Sequence, residues 1–94
     1  MKISGQIVDF VKRLHPAQRR AIKVALRKLE TGERSEVRAL INELEGFYRL
    51  RVGKFRIIFR ELRGGEISCE YIEERAAVYP KFVVLRRIIE GRGK

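Results

Sequence analysis

The spacing of apolar residues near the N-terminus predicts two helices. Between residues 5 and 14, one helical stripe carries the apolar residues Ile7, Phe10, Val11 and Leu14. The pair His15-Pro16 ends this run, and proline suits the first position of a new helix. Over residues 16–30 the apolar face consists of Ile22, Ala25, Leu26 and Leu29. Gly32 is a helix stop signal, so we expect an antiparallel helical hairpin with one apolar and one basic face.

A weaker helical pattern follows over residues 35–44. Its apolar members are Val37, Leu40, Ile41 and Leu44. Ser35 is a suitable N-cap, and Glu45-Gly46 ends the pattern. The spacing therefore predicts a third helix.

From residue 47 the apolar period changes from helical to alternating. Residues 47–52 and 55–62 read as strands around Gly53-Lys54, a two-residue loop with glycine first. Gly64-Gly65 then turns the chain into a further strand over residues 67–73.

The last apolar pattern predicts a short C-terminal helix after Tyr79-Pro80. It carries Phe82, Leu85 and Ile89, with Arg86 on a basic flank. Helices before and after a group of short strands indicate an α+β fold. We predict that the N-terminal helical hairpin packs on a small antiparallel β-sheet, with the short helix at the end of the chain.

A two-residue loop fixes the register of the strand pair, and with it the composition of both faces. One face pairs Val52 with Phe55, Leu50 with Ile57, and Tyr48 with Phe59. These residues are all apolar, so this face should meet the helices. The other face pairs Arg51 with Arg56, Arg49 with Ile58, and Phe47 with Arg60. We call the surface formed by Arg49, Arg51, Arg56 and Arg60 the arginine face.

The arginine face has two interpretations. A solvated sheet face is the ordinary one, but it predicts mixed signs, and like charges opposed across strands are destabilising. Residues 47–60 include four arginines and no acid, which favours an anion-binding site. We expect an odd-numbered loop before the third strand, because an even one would point Glu70 into the core, which is costly for a lone carboxylate. The odd loop places Cys69 and Tyr71 on the core face. It places Glu70 and Glu74 on the arginine face, where they would neutralise part of the charge and support the ordinary interpretation.

Composition narrows the class of protein. The 94 residues predict one domain, 1–94, and Lys plus Arg number 22 against 12 acids, for a net charge of +10. Such a charge suggests a polyanionic partner: nucleic acid, an acidic protein or an anionic membrane surface.

No apolar run could span a bilayer, and no signal peptide is apparent. The single cysteine, Cys69, excludes an internal disulfide and favours the cytoplasm. No residue cluster has metal-ligand spacing and no phosphate-binding glycine loop is present, so we expect neither metal nor cofactor.

Further cations extend the predicted nucleic-acid surface beyond the strands. The second helix carries Arg19, Arg20, Lys23, Arg27 and Lys28. We interpret them as an electrostatic surface for rRNA or an acidic partner, not as readers of sequence. Lys54 at the hairpin turn and Arg60 complete the predicted RNA-binding set.

Three segments together resemble the RelE/ParE superfamily of toxin–antitoxin toxins. They are the basic helical hairpin, the strand pair "YRLRVGKFRIIF" and the strand end "ERAAVY". The resemblance runs from about Ile7 to Ile89 and implies a RelE-like fold. One branch of the superfamily cuts mRNA in the ribosomal A site, and the ParE branch poisons DNA gyrase. Both branches are inhibited by a cognate antitoxin, which the resemblance implies as a partner here, beside the ribosome and mRNA.

The resemblance also implies roles for individual residues. Arg49 and Arg51 match two basic residues on the first hairpin strand, and Arg56 matches an arginine on the returning strand. Arg75 matches an arginine before the final helix, and Tyr79 a tyrosine that stacks on a base or assists proton transfer. These five residues are the predicted catalytic set.

The sequence departs from the family pattern in three places. Glu74-Arg75 stands where relatives often have His-Arg, and some relatives have lysines in place of the two strand arginines. The usual first strand is reduced to roughly residues 1–4. Arginine stays protonated, so it is a poor general base, and the identity of the base is open.

Three functions follow from the resemblance. The leading hypothesis is a ribosome-dependent mRNA endonuclease toxin that needs no metal, because the RNA 2′-OH attacks the adjacent phosphate. The alternatives are a ParE-like gyrase inhibitor without catalysis and an inactive RNA-binding relative. The presence of both the arginine set and the tyrosine favours the nuclease. Individual residues also have structural alternatives: Tyr79 could anchor the last strand, and Arg75 could pair with Glu73 or Glu74.

Overall fold

The computed structural model describes residues 1–92 and contains one five-stranded sheet. Its strands are β1 (Lys2–Ile3), β2 (Val37–Ala39), β3 (Tyr48–Val52), β4 (Phe55–Glu61) and β5 (Ile67–Glu74). Their order across the sheet is β1-β5-β4-β3-β2, and β1 alone is parallel to its neighbour. The helices are α1 (Gly5–Lys12), α2 (Pro16–Glu30) and α3 (Val78–Arg92). The predicted α+β class is confirmed, and the predicted 1–94 domain extends two residues beyond the described range.

The two N-terminal helices begin and end at local signals in the sequence. The Ser4 hydroxyl accepts a hydrogen bond from the Ile7 N–H and caps α1. α2 occupies the predicted residues 16–30, and the Gln18 side chain accepts a hydrogen bond from the His15 N–H at 3.3 Å. Gly32, at φ +102°, lies in the left-handed region that ends such helices. The predicted helical hairpin is confirmed.

These helices cover one face of the sheet and form the main core. The buried helical residues are Ile7, Ile22 and Leu29. They pack against the sheet residues Leu50, Val52, Phe55, Ile57, Phe59, Ile67, Cys69 and Ile72. Tyr48 stacks on Phe59 with 5.4 Å between ring centroids. All three predicted pairs on this face occur in the predicted register.

The opposite face of the sheet is also covered over part of its length, which the sequence did not predict. α3 packs there on a second core of Leu44, Phe47, Ile58, Val78 and Phe82. The predicted pairs Arg51–Arg56 and Arg49–Ile58 are present, but Ile58 is fully buried beneath the helix. The helix has 15 residues and is not short, because it already begins at Val78. Among the described residues no helix is long and apolar enough to cross a membrane.

The helix predicted over residues 35–44 is wrong. Residues Val37–Ala39 form the edge strand β2 and pair with β3, so that Arg38 lies opposite Arg49. Only Asn42–Leu44 makes a single 3₁₀ turn. The Ser35 hydroxyl caps no helix and contacts the Glu33 carboxylate at 2.8 Å. Hydrogen bonds to β3 satisfy the backbone N–H and C=O groups of this segment. A short, isolated helix would have had to satisfy them by hydrogen bonds of its own.

The loop before β5 is odd in length, as predicted, but a β-bulge changes the faces beyond it. Phe59 lies opposite Cys69 as expected. The register then shifts, so that Tyr71 lies opposite Ile58 on the α3 side and Ile72 takes the core position. The predictions for Tyr71 and Glu74 are therefore wrong, because one extra residue reverses every side chain that follows it.

A side chain extends the short parallel pairing of β1 with β5. The Gln6 amide donates to the Ile72 carbonyl at 2.7 Å and accepts from the Ile72 N–H at 2.8 Å. Before it, the Ser4 N–H donates to the Cys69 carbonyl at 3.0 Å. The first turn of α1 thus replaces the strand partner that β5 would otherwise lack there.

Cys69 lies in the core, as predicted, and burial raises the pKa of its thiol from 9.0 to about 12. We expect iodoacetamide at about pH 8 to leave Cys69 unmodified in the folded protein and to modify it in denaturant. In the unfolded chain the thiol ionises near its ordinary pKa, so the free energy of unfolding should fall as pH rises from 9.0 to about 12. A Cys69→Ala variant should lose less stability over that range, and identical pH curves would contradict this assignment.

Candidate anion site on the arginine face

Three arginines project from adjacent positions on the same side of the β3–β4 hairpin. Arg49 and Arg51 lie two residues apart on β3, and Arg56 lies directly across from Arg51 on β4. Arg51 and Arg56 occupy the end of this face that carries no apolar core residue, whereas Arg49 lies opposite the buried Ile58. Guanidinium groups placed together can bind the oxygens of one phosphate in bidentate fashion.

Arg60, the fourth member of the arginine face, lies apart from this group. Its guanidinium stands 5.9 Å from the centre of the Phe47 ring and its Nε lies 3.7 Å from a Glu70 carboxylate oxygen. The Arg86 guanidinium contacts the same Phe47 ring at 4.8 Å. Arg60 therefore belongs to the edge of the second core.

Arg51 binds an acid that lies outside the hairpin and that the sequence analysis did not identify. Glu36, just before β2, accepts hydrogen bonds from Arg51 Nε at 2.8 Å and Nη2 at 3.4 Å. The hydrogen bond with Arg51 holds the pKa of Glu36 below its ordinary value and raises that of Arg51. Sequence reasoning missed Glu36 because it assigned the segment to a helix. Arg38 lies opposite Arg49, and Glu36 precedes Arg38 by two residues. Once β2 is known, the antiparallel register therefore places Glu36 beside Arg51.

Arg56 is held by the turn and not by a carboxylate. Its Nη1 donates to the Gly53 carbonyl at 2.9 Å and to the Phe55 carbonyl at 3.0 Å. Glu73 lies opposite it on β5, but the Glu73 carboxylate binds Lys81 at 3.1 Å. Within residues 1–92, Arg56 makes no ion pair. The structure thus leaves a cation at the hairpin end whose charge is not neutralised.

Arg75 is drawn towards the hairpin tip by its backbone. Its N–H donates to the Lys54 carbonyl at 2.7 Å, and its φ of +50° is unusual for a residue with a side chain. Neither predicted pairing of Arg75 with an acid forms, since Glu73 binds Lys81 and Glu74 binds Lys54 at 3.3 Å. Strained backbone of this kind is found more often at functional sites than elsewhere.

Tyr79 lies in the first turn of α3, half-buried against the second core. It lines a small cavity of about 230 Å³ together with Leu40, Ile41 and Leu44. Ile41 is 74% exposed, so apolar surface beside Tyr79 is open to solvent. Tyr79 thus packs on the second core and remains only half-buried.

The remaining predicted RNA-binding cations are not gathered on this face. The set on α2 is Arg19, Arg20, Lys23, Arg27 and Lys28, and it belongs to the helical layer on the other side of the sheet. Arg19 also donates to the Lys12 carbonyl at 3.4 Å. Lys54 lies at the hairpin tip, 5.5 Å from the centre of the Phe55 ring. Two separate cationic surfaces result.

Within the described residues, no group of three or more His, Cys, Asp or Glu side chains could hold a metal ion.

No protein-family model matches the chain, and no curated protein is similar to it in sequence. Its fold is similar to a chain in the crystal structure of the RelB-RelE antitoxin-toxin complex from Methanococcus jannaschii. The TM-score is 0.66 at 20% sequence identity, and the match covers 87% of this chain and 99% of that one. At this identity the likeness concerns the fold alone. The resemblance predicted from the hairpin is confirmed at that level: the chain has a RelE-like α+β fold.

Proposed function

We propose that the chain is the toxin of a toxin–antitoxin pair and that it cuts mRNA on the ribosome. The observation that carries the proposal is the group of Arg49, Arg51 and Arg56 on one side of a hairpin, within a RelE-like fold. Arg56 lacks an ion pair within residues 1–92, and like charges opposed across strands do not stabilise a sheet. A polyanionic substrate explains why these residues occur together.

The chemistry requires no metal, because RNA carries its own nucleophile. The 2′-OH attacks the adjacent phosphorus, the bond to the 5′ oxygen breaks, and a cyclic phosphate and a 5′-OH result. Arginines stabilise the negative charge that grows on the phosphate oxygens. We assign this role to Arg49, Arg51 and Arg56, with Arg75 at the edge of the site and Tyr79 as the residue that stacks on a base or assists proton transfer.

The second cationic surface has a different proposed role. The cations of α2 would bind rRNA or an acidic partner through charge without reading sequence. Lys54 and Arg60, on the hairpin, would add RNA contacts of the same kind there. Work on translating ribosomes would place the protein in the cytoplasm.

Expression of the gene with and without its antitoxin tests the proposal directly. We expect the protein alone to arrest translation and to produce mRNA 5′ ends in phase with codons. Intact mRNA with altered plasmid supercoiling would contradict the nuclease and support a gyrase inhibitor. Intact mRNA with normal supercoiling would indicate an inactive RNA-binding relative.

We expect the antitoxin to cover the arginine face or to displace α3, and its binding to weaken as salt rises. The reason is the net charge of +10, since exposed charges are screened over about 8 Å at physiological ionic strength. Titration of the purified pair across a salt series measures this dependence. An affinity that does not change with salt would indicate a mainly apolar contact instead.

A further inference from the structure

Glu36 contacts both arginines of β3 at the same time. Its carboxylate binds the Arg51 guanidinium through Nε and Nη2, at 2.8 and 3.4 Å. Its backbone carbonyl accepts from the Arg51 N–H at 3.0 Å and from Arg49 Nη1 at 3.3 Å. The two side chains that would bind RNA phosphate are thus tied to one residue beside the edge strand.

The contact leaves the phosphate-binding side of Arg51 open. A guanidinium has five N–H donors, and Glu36 uses the Nε donor and one on Nη2. Both donors on Nη1 and one on Nη2 remain, and neighbouring nitrogens of this kind bind two phosphate oxygens together. Glu36 therefore orients the guanidinium without occupying all of its anion-binding capacity.

Glu36 also offsets a repulsion within the site. Arg51 lies across from Arg56, where like charges are destabilising, and the negative charge of Glu36 beside Arg51 reduces this repulsion. The hydrogen bond from Arg51, with smaller effects of Arg49 and Arg56, keeps the pKa of Glu36 below its ordinary value. The carboxylate is consequently charged at neutral pH.

We propose that Glu36 is a positioning residue: its carboxylate holds Arg51 beside Arg49, which its backbone carbonyl binds, so that the remaining N–H groups of both arginines act on the same RNA phosphate. This inference rests on the proposed nuclease function and adds to it the acid that organises the arginines. Glu36 itself does not exchange a proton with the substrate in this role.

The test compares Glu36→Ala and Glu36→Gln with a control of similar exposure. Glu90→Ala is the control, because Glu90 forms an exposed ion pair of 2.7 Å with Arg86 on α3. We expect kcat for mRNA cleavage on ribosomes to fall about 10²-fold in Glu36→Ala, with little change in KM. Glu36→Gln, which keeps one acceptor oxygen, should lose less. Melting should stay unchanged in all three variants, because exposed ion pairs contribute little to stability. Wild-type or faster cleavage by Glu36→Ala would overturn the proposal.

A second measurement does not depend on cleavage. In ¹⁵N NMR spectra, Glu36 should slow solvent exchange of the Arg51 Nε–H, and this protection should vanish in Glu36→Ala. If the wild-type protein does not cut mRNA, the nuclease function fails, while the Arg51 signal still tests the contact. Protection that persists in Glu36→Ala would overturn the positioning role. So would a Glu36→Gln variant that loses as much cleavage as Glu36→Ala while the Arg51 signal stays fully protected, which would make the carboxylate a direct participant.

Discussion

Replacement of Arg56 by alanine is expected to lower mRNA cleavage on ribosomes by about 10²–10³-fold, the usual loss for one preorganised donor to a developing oxyanion. The effect on stability should be small, because two contributions oppose each other. The hydrogen bond to the Gly53 carbonyl is lost, which typically costs about 0.5–1.5 kcal/mol. Repulsion from Arg51 is relieved, which returns roughly 0.2–1 kcal/mol.

The measurement is a toeprint of cleaved mRNA beside a thermal melt of each variant. Arg63→Ala serves as the matched control, because Arg63 is exposed in the turn between β4 and β5, away from the hairpin tip. It should cleave and melt as wild type. If Arg56→Ala melts much earlier than wild type yet cleaves normally, the arginine face has a structural role and the proposed function loses its main support.

Replacement of Phe59 by alanine should have the opposite effects: a large loss of stability and no loss of cleavage per folded molecule. Phe59 is fully buried at the centre of the sheet, between the Tyr48 ring and the helices. Removing a buried phenylalanine typically costs about 3–5 kcal/mol, through lost transfer energy and the cavity that remains. In a domain of this size each kcal/mol lowers the melting temperature by roughly 4–8 °C, so the variant should be partly unfolded near physiological temperature.

Activity should then fall only in proportion to the folded fraction. Urea unfolding measures the loss, and Val24→Ala is the control, because Val24 is about half exposed on α2. Phe59→Ala with near-wild-type stability would mean that the core can collapse around the cavity. Reduced cleavage per folded molecule would mean that the core face also shapes the catalytic site.

The parts of the fold that were predicted correctly depend on local signals. The β3–β4 register follows from a two-residue loop, and Gly53 has the positive φ, +56°, that such a loop needs. α2 follows from Pro16, its apolar spacing and Gly32. In each case the residues that decide the structure are neighbours in the sequence.

The parts that were missed depend on contacts between distant residues. Val37, Leu40, Ile41 and Leu44 fit a helix, and only the pairing with β3 makes the segment a strand. The bulge lies between the Phe59–Cys69 and Ile58–Tyr71 pairs, and the sequence has no glycine or proline there that would have indicated it. The burial of Ile58 requires α3, and the contact of Glu36 with Arg51 requires β2. The sequence therefore predicted the cations of the candidate site but not the acid that contacts them.

The pairing of β1 and the first turn of α1 with β5 has a consequence for folding. Gln6 and Ile72 are bonded across 66 residues, and Lys2 lies beside Ser68 in the parallel pair. The β3–β4 hairpin can close as soon as it is synthesised, whereas contacts of such sequence separation form late and slow the folding of small domains. During synthesis, the sheet cannot be completed before residues 67–74 have left the ribosome. The N-terminal segment therefore stays unpaired until most of the protein has left the ribosome.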